Sequence, residues 1–128
     1  MTEDQLQAAC WMWAWNKYPQ TRRMLWAVPN GGDRDIVTAA KLMATGVLPG
    51  VHDLHLLWEN QFYTFELKVG SNRLTVDRMV ITPSGREKLI YGQKEWGAKM
   101  IEQGGRWFEI RELERFKEIF NGIIEAKI

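Results

Sequence analysis

Among 128 residues there is one cysteine, Cys10, and there are two histidines, His52 and His55. The lone thiol excludes an internal disulfide framework and fits a reducing compartment, so a cytoplasmic location is expected. With so few sulfur and imidazole ligands, a zinc finger or a histidine-based metal site is hard to build. Long apolar runs are missing too: none approaches the ~20 residues that span a bilayer, and no membrane partner is expected. The opening Met1-Thr2-Glu3-Asp4-Gln5 is acidic where a signal peptide would be basic and then apolar, so export is not indicated. An excess of one charge sign is likewise absent. With 17 basic and 16 acidic residues the chain carries a net charge of +1. Any affinity for a polyanion must therefore come from a local patch. Neither repeats, low-complexity tracts nor linkers divide the sequence.

What is present suits one folded unit, 1–128. Hydrophobic residues make up 45% of the chain and seven are Trp. A chain of this length buries roughly two-thirds of the surface its unfolded form exposes. Thr2 can cap a helix starting at Glu3, whose apolar set Leu6, Ala9, Cys10, Trp13 and Ala14 recurs at helical spacing until Tyr18-Pro19. Trp26-Ala27-Val28 reads as a short strand before the turn Pro29-Asn30-Gly31-Gly32, and a second helix is predicted from Ile36 to Thr45, capped by Gly46. Further on, Arg73 to Ile81, the turn Thr82-Pro83-Ser84-Gly85 and Lys88 to Tyr91 suggest a peripheral hairpin. A helix from Ser84 competes, because Ser84 and Glu87 have capping-box spacing. A helix over Gln93–Gln103, a strand over Arg106–Ile110 and an amphipathic helix from Glu112 to about Ala126 complete the chain. The expected class is an α/β sandwich with a central mixed β-sheet flanked by helices.

The chemistry concentrates between Pro49 and Lys68. Val51 to Trp58 and Phe62 to Lys68 each alternate with a period of two, and the break holds turn-forming Asn60. With a loop of two or four residues, opposed positions sum to a constant, so Asp53 faces Glu66, His55 faces Thr64 and Leu57 faces Phe62. Leu54 with Phe65 and Leu56 with Tyr63 form the other, apolar face. Asp53, Glu66 and Lys68 then share one side. Two carboxylates about 5 Å apart repel unless a cation lies between them, and a metal ion is the natural occupant.

These residues resemble the virus-type replication-repair nuclease (VRR-NUC) domain of the PD-(D/E)XK superfamily. Glu3 at the head of the first helix, Pro29-Asn30-Gly31-Gly32, Gly46 through Gly50-Val51-His52-Asp53-Leu54, Glu66-Leu67-Lys68 and Gln93 ahead of Gly104 follow in the family's order. His52 stands where the family commonly has Pro, and the interval from Lys68 to Gln93 is longer than usual, so residues 72–91 read as an insertion.

The resemblance implies a restriction-endonuclease-like PD-(D/E)XK core and phosphodiester hydrolysis with Mg²⁺ or Mn²⁺, ions that prefer hard oxygen ligands. Asp53, Glu66, the Leu67 carbonyl and Glu3 would hold the metal. Lys68 would orient the attacking water or stabilise the transition state, and Gln93 would position Lys68 or the phosphate. The implied setting is bacterial or phage DNA replication, repair or recombination, with a homodimer cutting branched or four-way-junction DNA. The other class of function is a non-catalytic DNA-binding or assembly module that keeps the fold.

Each residue also has an ordinary use. Glu3 is a first-turn acid that favours the helix dipole. His52 and His55 can be satisfied strand neighbours, and Trp11, Trp13 and Trp15 fan around a helix in a way that suits core or dimer contacts. Arg22, Arg23, Arg34, Arg73, Arg78, Arg86 and Lys88 are solvating charges unless the fold gathers them into a phosphate track.

Overall fold

The computed structural model describes residues 1–29 and 36–126. In chain order these form α1 Glu3–Lys17, β1 Leu25–Ala27, α2 Ile36–Ala44, β2 Leu54–Trp58, β3 Gln61–Leu67, β4 Arg78–Ile81, β5 Glu87–Ile90, α3 Gln93–Glu102, β6 Arg106–Ile110 and α4 Leu113–Ile124. A short 3-10 turn, Pro19–Thr21, links α1 to β1. The fold is α/β: a mixed four-strand sheet in the order β1-β2-β3-β6, and a separate two-strand sheet of β4 and β5. Of the turn expected at Pro29-Asn30-Gly31-Gly32, all but Pro29 lies outside the described residues, as does Arg34.

Helix α1 starts where the capping residues dictate. The Thr2 hydroxyl accepts from the Gln5 amide at 3.1 Å, and the Gln5 side chain accepts from the Thr2 amide at 2.8 Å. Such reciprocal capping is worth about 0.5–2 kcal/mol. Leu6, Cys10 and Ala14 recur every fourth residue and are fully buried along one line of the helix. Across from them α4 buries Phe116 and Phe120, also one turn apart. Trp13 meets both phenylalanines edge-on, at ring distances of 6.0 and 5.9 Å. Its use is therefore in the core, while Trp15 is partly exposed under Arg22, whose guanidinium lies 4.6 Å from the ring.

The β2–β3 hairpin has the register that alternation predicts. Leu54 pairs with Phe65, His55 with Thr64, Leu56 with Tyr63, Leu57 with Phe62 and Trp58 with Gln61. Only Glu59 and Asn60 remain for the loop, and both have positive φ, 49° and 66°. A two-residue turn of this kind matches the right-handed twist of the strands it joins. β3 then pairs in parallel with β6, so α3 is the crossover between them.

Leu54, Leu56, Phe65, Leu67 and Ile110 are buried with α1 and α4 in one hydrophobic core. α3 lies over the other face. It sits close because Gly97 has no side chain: a Cβ there would fall 2.5 Å from the Trp107 ring.

The segment after β3 forms a hairpin, not a helix from Ser84. Arg78 pairs with Ile90 and Val80 with Lys88. Thr82 and Arg86 close the turn, and Gly85 takes a φ of +83°. Cross-strand pairing uses the amides that a helix from Ser84 would need for itself.

Candidate metal centre and its cleft

One residue beyond the ladder, the β2–β3 register sets Asp53 across from Glu66. Here the chain leaves the regular strand, and the Asp53 carboxylate takes over the ladder's task by accepting the Leu67 amide at 2.9 Å. That bond fixes the side chain at the strand end. Glu66 is fully buried in the middle of the sheet, and neither of its carboxylate oxygens has a hydrogen-bond partner among the described residues. Lys68, two residues on along the same strand face, brings its ammonium to 3.5 Å from Glu66 Oε2. This is long for a hydrogen bond, so the attraction is mainly electrostatic. Lys68 itself is only 6% exposed.

Burial, followed by the negative charge of Asp53, pushes the Glu66 carboxyl up to about 9, against the pull of Lys68. Asp53 is also raised, again chiefly by burial, although the Leu67 amide lowers it. The pair thus resists carrying two negative charges at once.

A second polar structure backs this face. The His52 ring bridges the Thr64 hydroxyl and the Gln93 carbonyl, each at 2.9 Å. Burial lowers its pKa to about 4, so the ring is neutral at pH 7. A carbonyl can only accept, so Nε2–H donates to Gln93 and Nδ1 accepts from Thr64. His55 bonds the His52 carbonyl at 3.0 Å and stacks on Trp96 at 5.5 Å. Both histidines are satisfied structural residues that hold α3 against the hairpin.

Glu3, Asp53, Glu66 and Gln93 all line a single cleft of about 510 Å³. Helix α1 supplies Glu3 from its first turn, and α3 supplies Gln93 from its first residue. Two expected groups have other engagements. The Glu3 carboxylate accepts from the Asn72 side-chain nitrogen at 2.7 Å. The Gln93 side-chain oxygen accepts from the Thr75 amide at 3.0 Å, and no bond joins Gln93 to Lys68. Lys68, buried beside Glu66, does not line the cleft. The Leu67 side chain is in the core, and its carbonyl leaves the strand on the same side as the amide that Asp53 holds. Among the described residues no three His, Cys, Asp or Glu side chains converge as a ready metal-binding group. Asp53 and Glu66 are the pair the fold does bring together.

Sequence reasoning passed over part of the wall. Gln7, one turn beyond Glu3, faces the cleft, and the β4–β5 hairpin segment contributes Thr75 and Tyr91 beside Arg78, one of the cations the sequence left dispersed. The spacing of Glu3 and Gln7 on one helix face could have found the first. Nothing in the sequence says that the hairpin folds back toward the acids.

Comparison of the chain with protein-family models, with curated proteins and with solved structures gave no match. Among the described residues no helix is long and apolar enough to cross a membrane.

Proposed function

We propose that the protein is a metal-dependent DNA endonuclease with a PD-(D/E)XK core of the VRR-NUC type, working as a homodimer on branched or four-way-junction DNA. The observation that carries this is the Glu66 carboxylate, buried without a hydrogen bond, across from Asp53 and at the wall of an open cleft. An unsatisfied buried carboxylate costs several kcal/mol, and a structural residue at that position would be apolar. Oxygen atoms of this kind fit Mg²⁺ or Mn²⁺, which take hard ligands. The mixed sheet with its α3 crossover supports the proposed fold, and the Asp53–Glu66–Lys68 face supports the proposed site.

In this reading Asp53, Glu66 and the Leu67 carbonyl would hold the ion, and Glu3 would complete the set from α1. When bound, the ion supplies Lewis-acid polarisation of the phosphate and a lower pKa for the attacking water. Asp53 is kept in place by the Leu67 amide. Lys68 favours the ionised form of Glu66 and adds positive charge near the site as negative charge builds up on the phosphate. Gln93 also lines the cleft, where its amide nitrogen can contact a phosphate oxygen while its oxygen holds Thr75. A bound cation would lower the raised carboxyl pKa values of Asp53 and Glu66.

A second reading, a DNA-binding or assembly module without catalysis, is favoured by one feature: Glu3 is held by Asn72 and does not join the acid pair. Purified protein incubated with plasmid and with a four-way junction, with Mg²⁺ or Mn²⁺, decides between the two. Cleavage that falls by about 10²-fold or more in Asp53→Ala and in Lys68→Ala is the expected result. No cleavage by the wild type, or cleavage that survives both substitutions, rules the enzyme out. Size measurement in solution tests the dimer.

A further inference from the structure

The β4–β5 hairpin has no core of its own. Met79, Ile81 and Leu89 on its outer face are exposed, and an isolated two-strand hairpin is marginal in water. It is held at its base. Gln93 and Thr75 exchange two hydrogen bonds of 3.0 Å, from the Thr75 amide to the Gln93 side chain and from the Gln93 amide to the Thr75 hydroxyl. The Asp77 amide donates to Glu95 at 2.7 Å, and the Gly92 amide donates to the Asp77 carboxylate at 2.7 Å. Gly92 permits this closeness, since a Cβ there would stand 2.3 Å from the Val76 backbone. The hairpin is thus fixed to the head of α3, next to Gln93.

Its inner face is defined by register. Arg78 and Ile90 are opposed and both line the cleft; Val80 and Lys88 are the next pair on the same side. Arg78 and Lys88 are diagonal neighbours, about 7–8 Å apart at the backbone. Residues 73–94 contain five Lys or Arg against Asp77 and Glu87, in a chain whose total is +1. Asp77 is committed to the Gly92 amide. None of Arg73, Arg78, Arg86, Lys88 and Lys94 has a side-chain hydrogen bond or ion pair among the described residues. By contrast Lys99, Arg111, Arg115 and Lys117 all pair with carboxylates.

We propose that this arm is a clamp for the phosphodiester backbone of DNA, with Arg78 taking the phosphate at the mouth of the cleft and Lys88 one farther out. It rests on the nuclease reading only in taking DNA as the polyanion. The arm supplies the local patch that the net charge does not show, and it directs the strand between the free cations and the acid pair.

The test is the binding of a fluorescent 20-base-pair duplex in EDTA, measured by anisotropy across a salt series. The proteins are the wild type, Arg78→Gln/Lys88→Gln, the charge-keeping Arg78→Lys/Lys88→Arg, and Arg23→Gln as a remote exposed cation. Thermal melting checks that each is folded. The neutralised pair is expected to bind roughly tenfold more weakly, with the slope of log affinity against log salt reduced by about 2. The charge-keeping pair and Arg23→Gln are expected to keep the wild-type slope. Wild-type affinity and slope in the neutralised pair overturn the clamp, whether or not the protein cleaves. A reduced slope with no cleavage in Mg²⁺ or Mn²⁺ upholds the clamp and removes the nuclease reading.

Discussion

On the side covered by α1 and α4, the four-strand sheet buries Leu54, Leu56, Phe65, Leu67 and Ile110 against apolar partners. On the side toward α3 it buries His55, Thr64, Glu66 and Lys68, with His52 alongside. Both faces exclude water, but they contribute to stability in different ways. Each large side chain on the apolar face contributes about 1.5–3 kcal/mol by leaving water. The polar face gains little net free energy from its hydrogen bonds and carries the cost of burying the Glu66 carboxyl across from Asp53. The apolar face therefore holds the fold, and that stability allows the other face to keep buried polar groups that contribute little to it.

The comparison can be broken most sharply on the apolar side. Phe116→Ala removes a fully buried ring that touches Trp13, Phe65 and Phe120, and should lower the unfolding free energy by about 3–5 kcal/mol in a denaturant titration.

Next in size is the pH response of the polar side without divalent cation. The folded-state pKa of Glu66, about 9, lies above its ordinary 4.5, so between these values the folded chain keeps a proton that the unfolded chain has released. The resulting stability is complete below about pH 4.5 and is lost as pH rises toward 9, by on the order of 1 kcal/mol per unit. Denaturation midpoints should fall from pH 7 to pH 8.5, above the range in which His52 and His55, held low by burial, act in the opposite sense, and Glu66→Gln should flatten the trend. A wild type equally stable at pH 7 and 8.5 would show that the site does not hold the proton.

The histidine bridge sharpens the contrast further. His52→Leu leaves the buried Thr64 hydroxyl unpaired, at about 1–3 kcal/mol, and removes the bond the Gln93 carbonyl makes outside its helix. His52→Leu/Thr64→Val should recover part of that loss, because both ends of one bond then become apolar. A double variant no better than the single would mean that the ring's packing, not its hydrogen bonds, matters.

The smallest effect is the gain from metal. At a concentration 100 times its dissociation constant, Mg²⁺ or Mn²⁺ should stabilise the wild type by about 3 kcal/mol or less, seen as a raised melting temperature. Asp53→Ala and Glu66→Gln should show no such rise.

The hairpin at the centre of the site was legible because a period of two leaves few registers, and a slip by one residue would expose Leu54 and Phe65. Helices α1, α3 and α4 were legible within a residue or two from capping and spacing. The 72–91 segment was legible as strands and turn but not in its placement. That depends on Gln93, Glu95 and Asp77 meeting backbone amides far along the chain, and on Gly50 and Gly92 letting two loops touch, where a Cβ on Gly50 would fall 2.9 Å from the Gly92 backbone. The engagement of Glu3 by Asn72 was hidden for the same reason.

Sequence alone determined which residues share a face, because alternation and helical spacing are local geometry that each segment carries with it. Tertiary structure alone decided how deeply Glu66 is buried, that its oxygens lack partners, and that Arg78 reaches the same cleft. Burial and long-range contact depend on how α1, α3 and the arm close around the sheet, and no single segment encodes that closure.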